Sequence, residues 1–488
     1  MPFILSNFSL LLPFIVLISA VIINLLIIIF QRNFFLSFLV TFISLFISFY
    51  FLIKLNHDVD LHILFLLFLK PINFFYMFIF FCSSVLTCIF SYIFLRNKNI
   101  NKEEFFILLL LSNIGGYVLL LFNDMISLFL GIELLSLPLF GIIGYISSKS
   151  FKNLESSFKY FIVSCLASIF LLFGIAFIYL SFGTLDFITL ISINSLFLTH
   201  FNYLFFLGIM ITCLALLTKF ILFPFYSWIP DIYEGIPYPI LIYFSNATKI
   251  VIFLILSNIL LLLPNQYSIF LLVLKIMSFL SIIVGSVLAF FQDNVKRLLG
   301  YSTIVNSGYL TLFLIFFHQN SIFYTSIKFY LLGYLINSFV LFGSMTLISV
   351  LLKDKHSNSF KNYLGIFWKN KILSISIIIS LFSMTGIPLT IGFFSKFYLL
   401  KFLIEQNSIL FIIIVLFGSV MSIYYYFNFI KLFFYTKNIK YSKHFFRPTK
   451  LYIILEIFCF IFSLLIITIG IFPNLIDNFV YLLQRFHI

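Results

Sequence analysis

The sequence predicts an all-α polytopic membrane protein of fourteen transmembrane helices, with two inverted five-helix repeats and breaks in helices seven and twelve. Three observations carry the prediction. The 488 residues are 63% hydrophobic and 9% charged, with a mean hydropathy of +1.20, a composition outside the range of soluble globules. Apolar runs of about twenty residues recur along the chain, each long enough to cross a hydrocarbon core of about 30 Å. Two of these runs are over-long and interrupted by proline at corresponding places.

In chain order the runs occupy residues 8–30, 34–53, 71–95, 104–123, 125–147, 158–181, 203–227, 237–262, 268–291, 298–317, 323–352, 372–400, 408–434 and 451–472. The first three form an N-terminal group over 1–103. Spans four to eight form one five-helix unit over 104–262, and spans nine to thirteen a second over 268–434. The last span and the tail cover 451–488. Five is odd, so the second unit starts from the opposite side and is inverted relative to the first. Linkers are short, the longest polar one being Lys353–Lys371, and no soluble domain fits between spans, which leaves one membrane domain over 1–488. The first apolar run reads as helix one rather than a cleavable signal.

The seventh span carries Lys219-Phe-Ile-Leu-Phe-Pro224, and the twelfth carries Gly386-Ile-Pro388 and then Lys396. Proline frees a backbone carbonyl, which is tolerated at membrane depth only where protein or water satisfies it again. The broken helix is fourth in both units, as expected for a site at the midplane of an inverted repeat. The plainer alternative is that both prolines only kink packed helices.

The net charge of +14 invites a nucleic-acid partner, but its distribution argues against one. Alternate loops hold Arg32, Arg96, Lys98, Lys102, Lys149, Lys152, Lys159, Lys296, Arg297, Lys353, Lys355, Lys361, Lys369, Lys371, Lys431, Lys437, Lys440, Lys443, Arg447 and Lys450. The opposite loops and ends hold Lys54, Lys70, Lys328, Lys401 and Arg485, and the rest, Lys219, Lys249, Lys275 and Lys396, fall within or near apolar spans. This is the positive-inside bias; it places both termini outside and predicts an even number of crossings. The five cysteines, Cys82, Cys88, Cys165, Cys213 and Cys459, show no metal spacing and read as free packing thiols. The seven histidines read as loop or helix-end residues, so no haem-ligating pair is expected. No Gly-rich nucleotide loop follows a strand-like run.

Four ionisable residues stand at membrane depth, where a charge costs about 2.5–3.5 kcal/mol on insertion scales and defaults to a transport role. Glu133 lies near the middle of span five; Ser136, Gly141 and Gly144 project within about 80° of it on a helix, so a neighbouring helix rather than lipid packs there. A carboxylate whose proton affinity depends on the approach of a lysine is a switchable proton site; a static ion pair is the plainer alternative. Lys219 shares a small, partly polar stripe with Gly208, Thr212 and Ala215, one turn before the Pro224 break, where unwinding admits water. It could instead snorkel to the inner surface. Lys249, with Ser245 and Asn246 one turn earlier, is too deep in span eight to snorkel either way. Lys396 follows Pro388 and Gly392 and could sit beside water in the outer half, or snorkel outward.

Accessory candidates are weaker. Asp231 and Glu234 occupy the one inner loop without basic residues and could gate proton uptake or only cap helices. Ser302 and Asn306, spaced i, i+4 on span ten, could hold water between buried charges. Lys275 is expected to snorkel, Glu456 to pair with a neighbour, and Asp293, Lys296 and Arg297 to form a solvated face. Moving one charge against 100 mV costs about 2.3 kcal/mol. No ATP site or redox centre is visible on the chain, so a partner subunit or a coupling ion is implied.

Six segments carry a family resemblance: SLFLGIELLSLPLFGIIGY (127–145), SFKYFIVSCLASIFLLFGIAFIYLSFGTLDF (157–187), TKFILFPFYSWIPDIYEGIP (218–237), NATKIVIF (246–253), QDNVKRLLGYST (292–303) and GIPLTIGFFSKF (386–397). Taken together they make residues 110–400 similar to the N-subunit family of bacterial proton-pumping NADH:quinone oxidoreductase, complex I, which is similar in turn to mitochondrial NADH dehydrogenase subunit 2. These are antiporter-like subunits, related to the multisubunit cation/proton antiporters. By that resemblance Glu133 matches the helix-five glutamate, Lys219 the helix-seven lysine, Lys249 the central helix-eight residue and Lys396 the helix-twelve lysine. It also implies that electron transfer in a peripheral arm drives protonation changes along this axis. Two positions depart from the pattern. Tyr226 stands where many relatives have the His of PFHxW, and Asn306 where SSIAHLGY has His. Asparagine orients water but carries no proton at neutral pH. With the last span ending near 472, the long lateral helix of the largest antiporter-like subunit is not expected.

The expectation is therefore a proton-translocating membrane subunit of complex I, multi-pass in a bacterial inner membrane. Lys219 and Glu133 would be the inner input pair, Lys249 the central carrier and Lys396 the output. The resemblance implies no cofactor on this chain. Flavin and iron–sulfur clusters belong to partner subunits, NADH and quinone are substrates of the complex, and the partners are its other membrane and peripheral subunits and the lipid bilayer. A subunit of a standalone sodium/proton antiporter is the alternative; a non-conducting scaffold is a third.

Overall fold

The computed structural model describes residues 2–54, 62–63, 67–68, 73–96, 98, 101–145, 151–196, 203–263, 268–316, 321–352, 358–435 and 450–476. Lys70, Lys149, Lys353, Lys355, the basic residues of 436–449, Arg485 and every histidine but His62 lie outside the described residues, as do both chain ends.

The helices are α1 (Pro2–Phe30), α2 (Phe34–Lys54), α3 (Asn73–Arg96), α4 (Glu104–Leu121), α5 (Met125–Tyr145), α6 (Phe151–Phe182), α7 (Phe187–Leu196), α8 (Tyr203–Lys219), α9 (Trp228–Gly235), α10 (Tyr238–Leu260), α11 (Ser268–Phe290), α12 (Val295–Ile315), α13 (Ser321–Leu351), α14 (Ile366–Lys369), α15 (Lys371–Thr385), α16 (Ile391–Glu405), α17 (Ile409–Phe433) and α18 (Lys450–Ile471). A two-residue antiparallel hairpin, His62–Ile63 with Leu67–Phe68, is the one pair of strands among the described residues, beside two isolated bridges, Asp124 with Asp186 and Asn294 with Ser359.

Twelve of these helices are long and apolar enough to cross a membrane uninterrupted. The other two crossings are the shorter apolar helices α8 and α15, each followed by a break and a second helix, α9 and α16. The fourteen predicted spans are thus all present, with breaks at the seventh and twelfth. The twelfth runs on to Glu405, beyond its predicted end at 400, because its two halves of 15 residues meet at a bend. The sixth starts earlier than predicted, at Phe151, since its basic first turns are anchored by ion pairs. The short α7 was not foreseen; backbone bonds from Met125 N to the Leu185 carbonyl and from Phe187 N to the Asn123 carbonyl tie its start to that of α5.

Lipid tails are as apolar as leucine, so membrane helices associate through close packing and polar contacts. The centre of the bundle follows from this. The spans of α10 and α12 are 94% buried and those of α3 and α13 83%, against 28% for α1 and 33% for α6 and α18. Of the most buried helices, α10, α12 and α13 carry Lys249, Lys296, Asn306, Lys328 and Asn337. Close packing also explains the stripe that leads to Lys219. Gly208 of α8 meets Gly174 of α6 backbone to backbone, and a Cβ on Gly208 would lie 2.9 Å from the Gly174 carbonyl oxygen.

Candidate functional site

Both breaks use the left-handed backbone region. At the first, Ile221 has φ +70°, and at the second Gly386 has φ +89° and Leu389 φ +70°. A bulky residue there costs on the order of 1–3 kcal/mol and persists only where its surroundings hold it. At the first break Ser307 of α12 donates to the Ile221 carbonyl at 3.2 Å, satisfying one of the freed acceptors. At the second, Gly386 N donates to the Phe382 and Ser383 carbonyls and Ile387 N to Phe382, a left-handed helix end that glycine forms without strain. Pro224 and Pro388 themselves face outward and are exposed.

The lysines next to the breaks point inward. Lys219 ends α8, and its buried Nζ has no hydrogen-bond partner among the described residues. Glu133 Oε1 on α5 is likewise buried and unpartnered. The two interact electrostatically but form no ion pair, so the static pair offered as the plainer reading of Glu133 is absent in this geometry. Between α5, α6, α8, α9 and α10 lies a cavity of about 30 Å³ bordered by Ser136, Tyr160, Ser164, Lys219, Trp228 and Thr248. The rest of its wall is apolar, including Leu119, Ile132, Leu135 and Val251; its size admits a water molecule, which these polar groups would have to hold.

Lys249 is 1% exposed. Its Nζ donates to the Thr303 carbonyl of α12 at 2.9 Å and to the Tyr334 hydroxyl of α13 at 3.3 Å, and stands 4.9 Å from the centre of the Tyr334 ring. Its neighbour Thr248 borders the first cavity. Tyr334 borders a second, of about 20 Å³, with Asn306, Tyr330, Asn337, Ser395 and Lys396. Lys396, in the second turn of α16, folds back over the break and donates to the Thr385 carbonyl at 2.7 Å. It neither snorkels outward nor stands in open water. Its stem explains Gly386 a second time, because a Cβ there would lie 2.9 Å from Lys396 Cδ.

Of the accessory candidates, Asn306 joins the second cavity and accepts from Tyr330 Oη at 3.1 Å. Ser302 does not; it donates to the Leu299 carbonyl and lies against Tyr426. Tyr226 stacks on Phe223 and borders neither cavity. Asp231 and Glu234 cap no helix. Asp231 pairs with Lys159 at 2.6 Å and Arg297 at 2.9 Å, and Glu234 with Lys152 at 2.5 Å and Arg297 at 3.1 Å, which pins α9 to α6 and α12. Burial pushes the Glu234 carboxyl up, but the hydrogen bonds and charges of Lys152 and Arg297 outweigh it and hold the group below its usual range. Lys296 is no solvated residue either; it is buried and donates to the Ile236 carbonyl at 2.7 Å. Lys328, counted among the outer charges, is buried in the second turn of α13.

Tyr330, Tyr334 and Asn337 escaped sequence reasoning because none carries a charge. Their spacing, i, i+4 and i+7 on an otherwise apolar span, is the signal that marks one helix face.

The family described as NADH:quinone oxidoreductase/Mrp antiporter, TM, matches residues 122–422. A relative named NADH-quinone oxidoreductase subunit N, from Buchnera aphidicola subsp. Acyrthosiphon pisum, is 38% identical over 346 residues, which is 70% of this chain and 71% of that one. Three solved assemblies contain a chain of this fold. Respiratory complex I of Thermus thermophilus with bound aureothin matches with a TM-score of 0.73 and 21% identity, covering 95% of this chain and 98% of the other. The membrane-bound sulfane sulfur reductase, an archaeal respiratory membrane complex, matches at 0.83 and 22%, covering 99% and 98%. The Mrp complex of a Dietzia species matches at 0.80 and 17%, covering 99% and 96%.

Proposed function

The chain belongs to the NADH:quinone oxidoreductase/Mrp antiporter membrane family, and from that premise we propose that it is the proton-translocating, antiporter-like subunit of an NADH:quinone oxidoreductase. One observation carries the proposal: a carboxylate and three lysines lie inside the bundle with no carboxylate–lysine ion pair among them, Lys219 bordering one cavity, Lys396 another, and Lys249 bonded to Tyr334 on the wall of the second. A buried ammonium without a counter-ion makes the charged form costly. Such an amine holds its proton only conditionally, and that is what a carrier needs.

In this reading the two five-helix sets, 104–262 and 268–434, are paired half-channels. Glu133 and Lys219 take a proton at the first break, and the charge of each sets the affinity of the other. Lys249, between the cavities, carries it across the centre, and Lys396 releases it at the second break. The chain itself does no redox chemistry. Flavin, iron–sulfur clusters and the NADH and quinone reactions reside on the complex's other membrane and peripheral subunits, which are its partners. The protein is multi-pass in a bacterial inner membrane, with both termini outside. Replacement of Glu133 or Lys219 by Ala in the assembled complex is expected to remove most proton pumping with electron transfer and assembly retained. Full pumping in both variants refutes the role.

The fold shared with the Mrp chain favours a second reading, a subunit of a standalone sodium/proton antiporter. Copurification in mild detergent separates the two. Flavin and iron–sulfur proteins come with a complex I subunit, and only small membrane subunits with an antiporter.

A further inference from the structure

Between Lys249 and Lys396 there is no histidine and no carboxylate among the described residues, yet the two amines are joined by phenols. Tyr334 Oη stands 3.3 Å from Lys249 Nζ, and the same residue borders the cavity that holds Lys396. The other hydrogen-bond partner of Lys249 Nζ among the described residues offers no way on. The Thr303 carbonyl only accepts, and α12 buries it. Across the cavity, Tyr330 Oη donates to Asn306 Oδ1 at 3.1 Å, so its hydroxyl hydrogen is engaged and only its oxygen is left to accept. Asn337, also on its wall, has a buried Oδ1 without a hydrogen-bond partner among the described residues. A cavity of about 20 Å³ bordered by Tyr330, Tyr334, Asn306, Lys396 and Asn337, the last with an orphaned acceptor, has the size for one water molecule and polar residues to hold it.

Resting on the function proposed above, we propose that Tyr334 is the proton relay between Lys249 and Lys396, working through a single water in the cavity walled by Tyr330, Asn306 and Asn337. The step balances without any redox partner. The Lys249 ammonium donates to Tyr334 Oη. As that N–H proton passes to the oxygen, the phenol's own proton leaves to the cavity water, and the water hands one to the neutral Lys396 amine. Lys249 ends neutral, Lys396 ends as the ammonium, and Tyr334 and the water are unchanged apart from reorientation. Lys396 bonds to the Thr385 carbonyl in either state, because a neutral amine still keeps two N–H groups. Ser245, a second polar neighbour of the Tyr334 hydroxyl on α10, lies on the Lys249 side and holds the phenol between transfers.

The test uses the assembled complex reconstituted into vesicles, with proton uptake measured per NADH oxidised and normalised to assembled complex. Tyr334→Phe keeps the ring that stands over Lys249 and removes only the hydroxyl; it is expected to abolish most of the uptake. Tyr334→His supplies another group that accepts and donates a proton and is expected to restore most of it. Unchanged uptake in Tyr334→Phe overturns the relay, and so does loss in both variants, which marks a packing role. If Tyr334→Phe leaves no assembled complex, Tyr334→His decides alone: near-native uptake supports the relay, and none overturns it. Lys396→Ala, run alongside, separates this proposal from the one beneath it. Native pumping there sinks the proposed function, whereas loss there with native pumping in Tyr334→Phe sinks only the relay.

Discussion

Lys249 Nζ donates to the Thr303 carbonyl at 2.9 Å at the centre of the bundle, with no carboxylate at ion-pair distance among the described residues. A residue retained for stability is expected to be neutralised where it is buried. This one is not, and the opposition between stability and function can be measured.

Lys249→Met keeps the volume and removes the amine. Because an unpaired buried charge is destabilising, the variant is expected to raise the unfolding free energy in detergent by about 1 kcal/mol while proton pumping by the assembled complex is lost. Lowered stability with full pumping would reverse the assignment and make the lysine a packing element.

The second break predicts two changes of opposite sign. Leu389 is 64% exposed at φ +70°, so Leu389→Gly loses little packing and relieves a left-handed strain, raising stability by about 1 kcal/mol. Gly386→Ala places a Cβ at φ +89° and 2.9 Å from Lys396 Cδ. It is expected to cost about 1 kcal/mol or more and to lower pumping by displacing Lys396. Thermal unfolding in detergent checks the first, and unfolding with vesicle uptake checks the second. Equal effects from both would refute the left-handed assignment.

The ion-pair cluster at α9 predicts a pH dependence. The Glu234 carboxyl is held below its ordinary value of 4.5. A depressed carboxyl contributes stability that is present above the unfolded value and lost as pH falls through the folded one. Amide exchange in α9 is expected to accelerate as pH drops below 4.5, after correction for the intrinsic rate. Glu234→Gln should remove that dependence, and Arg297→Ala should reproduce the fast exchange at neutral pH. An unchanged α9 in Arg297→Ala would show that packing alone, chiefly Trp228 and Tyr233, holds the helix.

Helix number, the two broken spans and the four deep ionisable residues were legible along the chain. Each depends on a local property: about twenty apolar residues are needed to cross a bilayer, proline removes a donor wherever it stands, and a charge stands out against an apolar run. Contacts between helices obey no such rule. Asp231 and Glu234 face Lys152, Lys159 and Arg297 only because α6, α9 and α12 converge. Tyr334 reaches both Lys249 and the cavity beside Lys396 only because α13 packs against α10 and α16. An uncharged hydroxyl leaves little mark on hydropathy, so its place in a path emerges once the helices are packed.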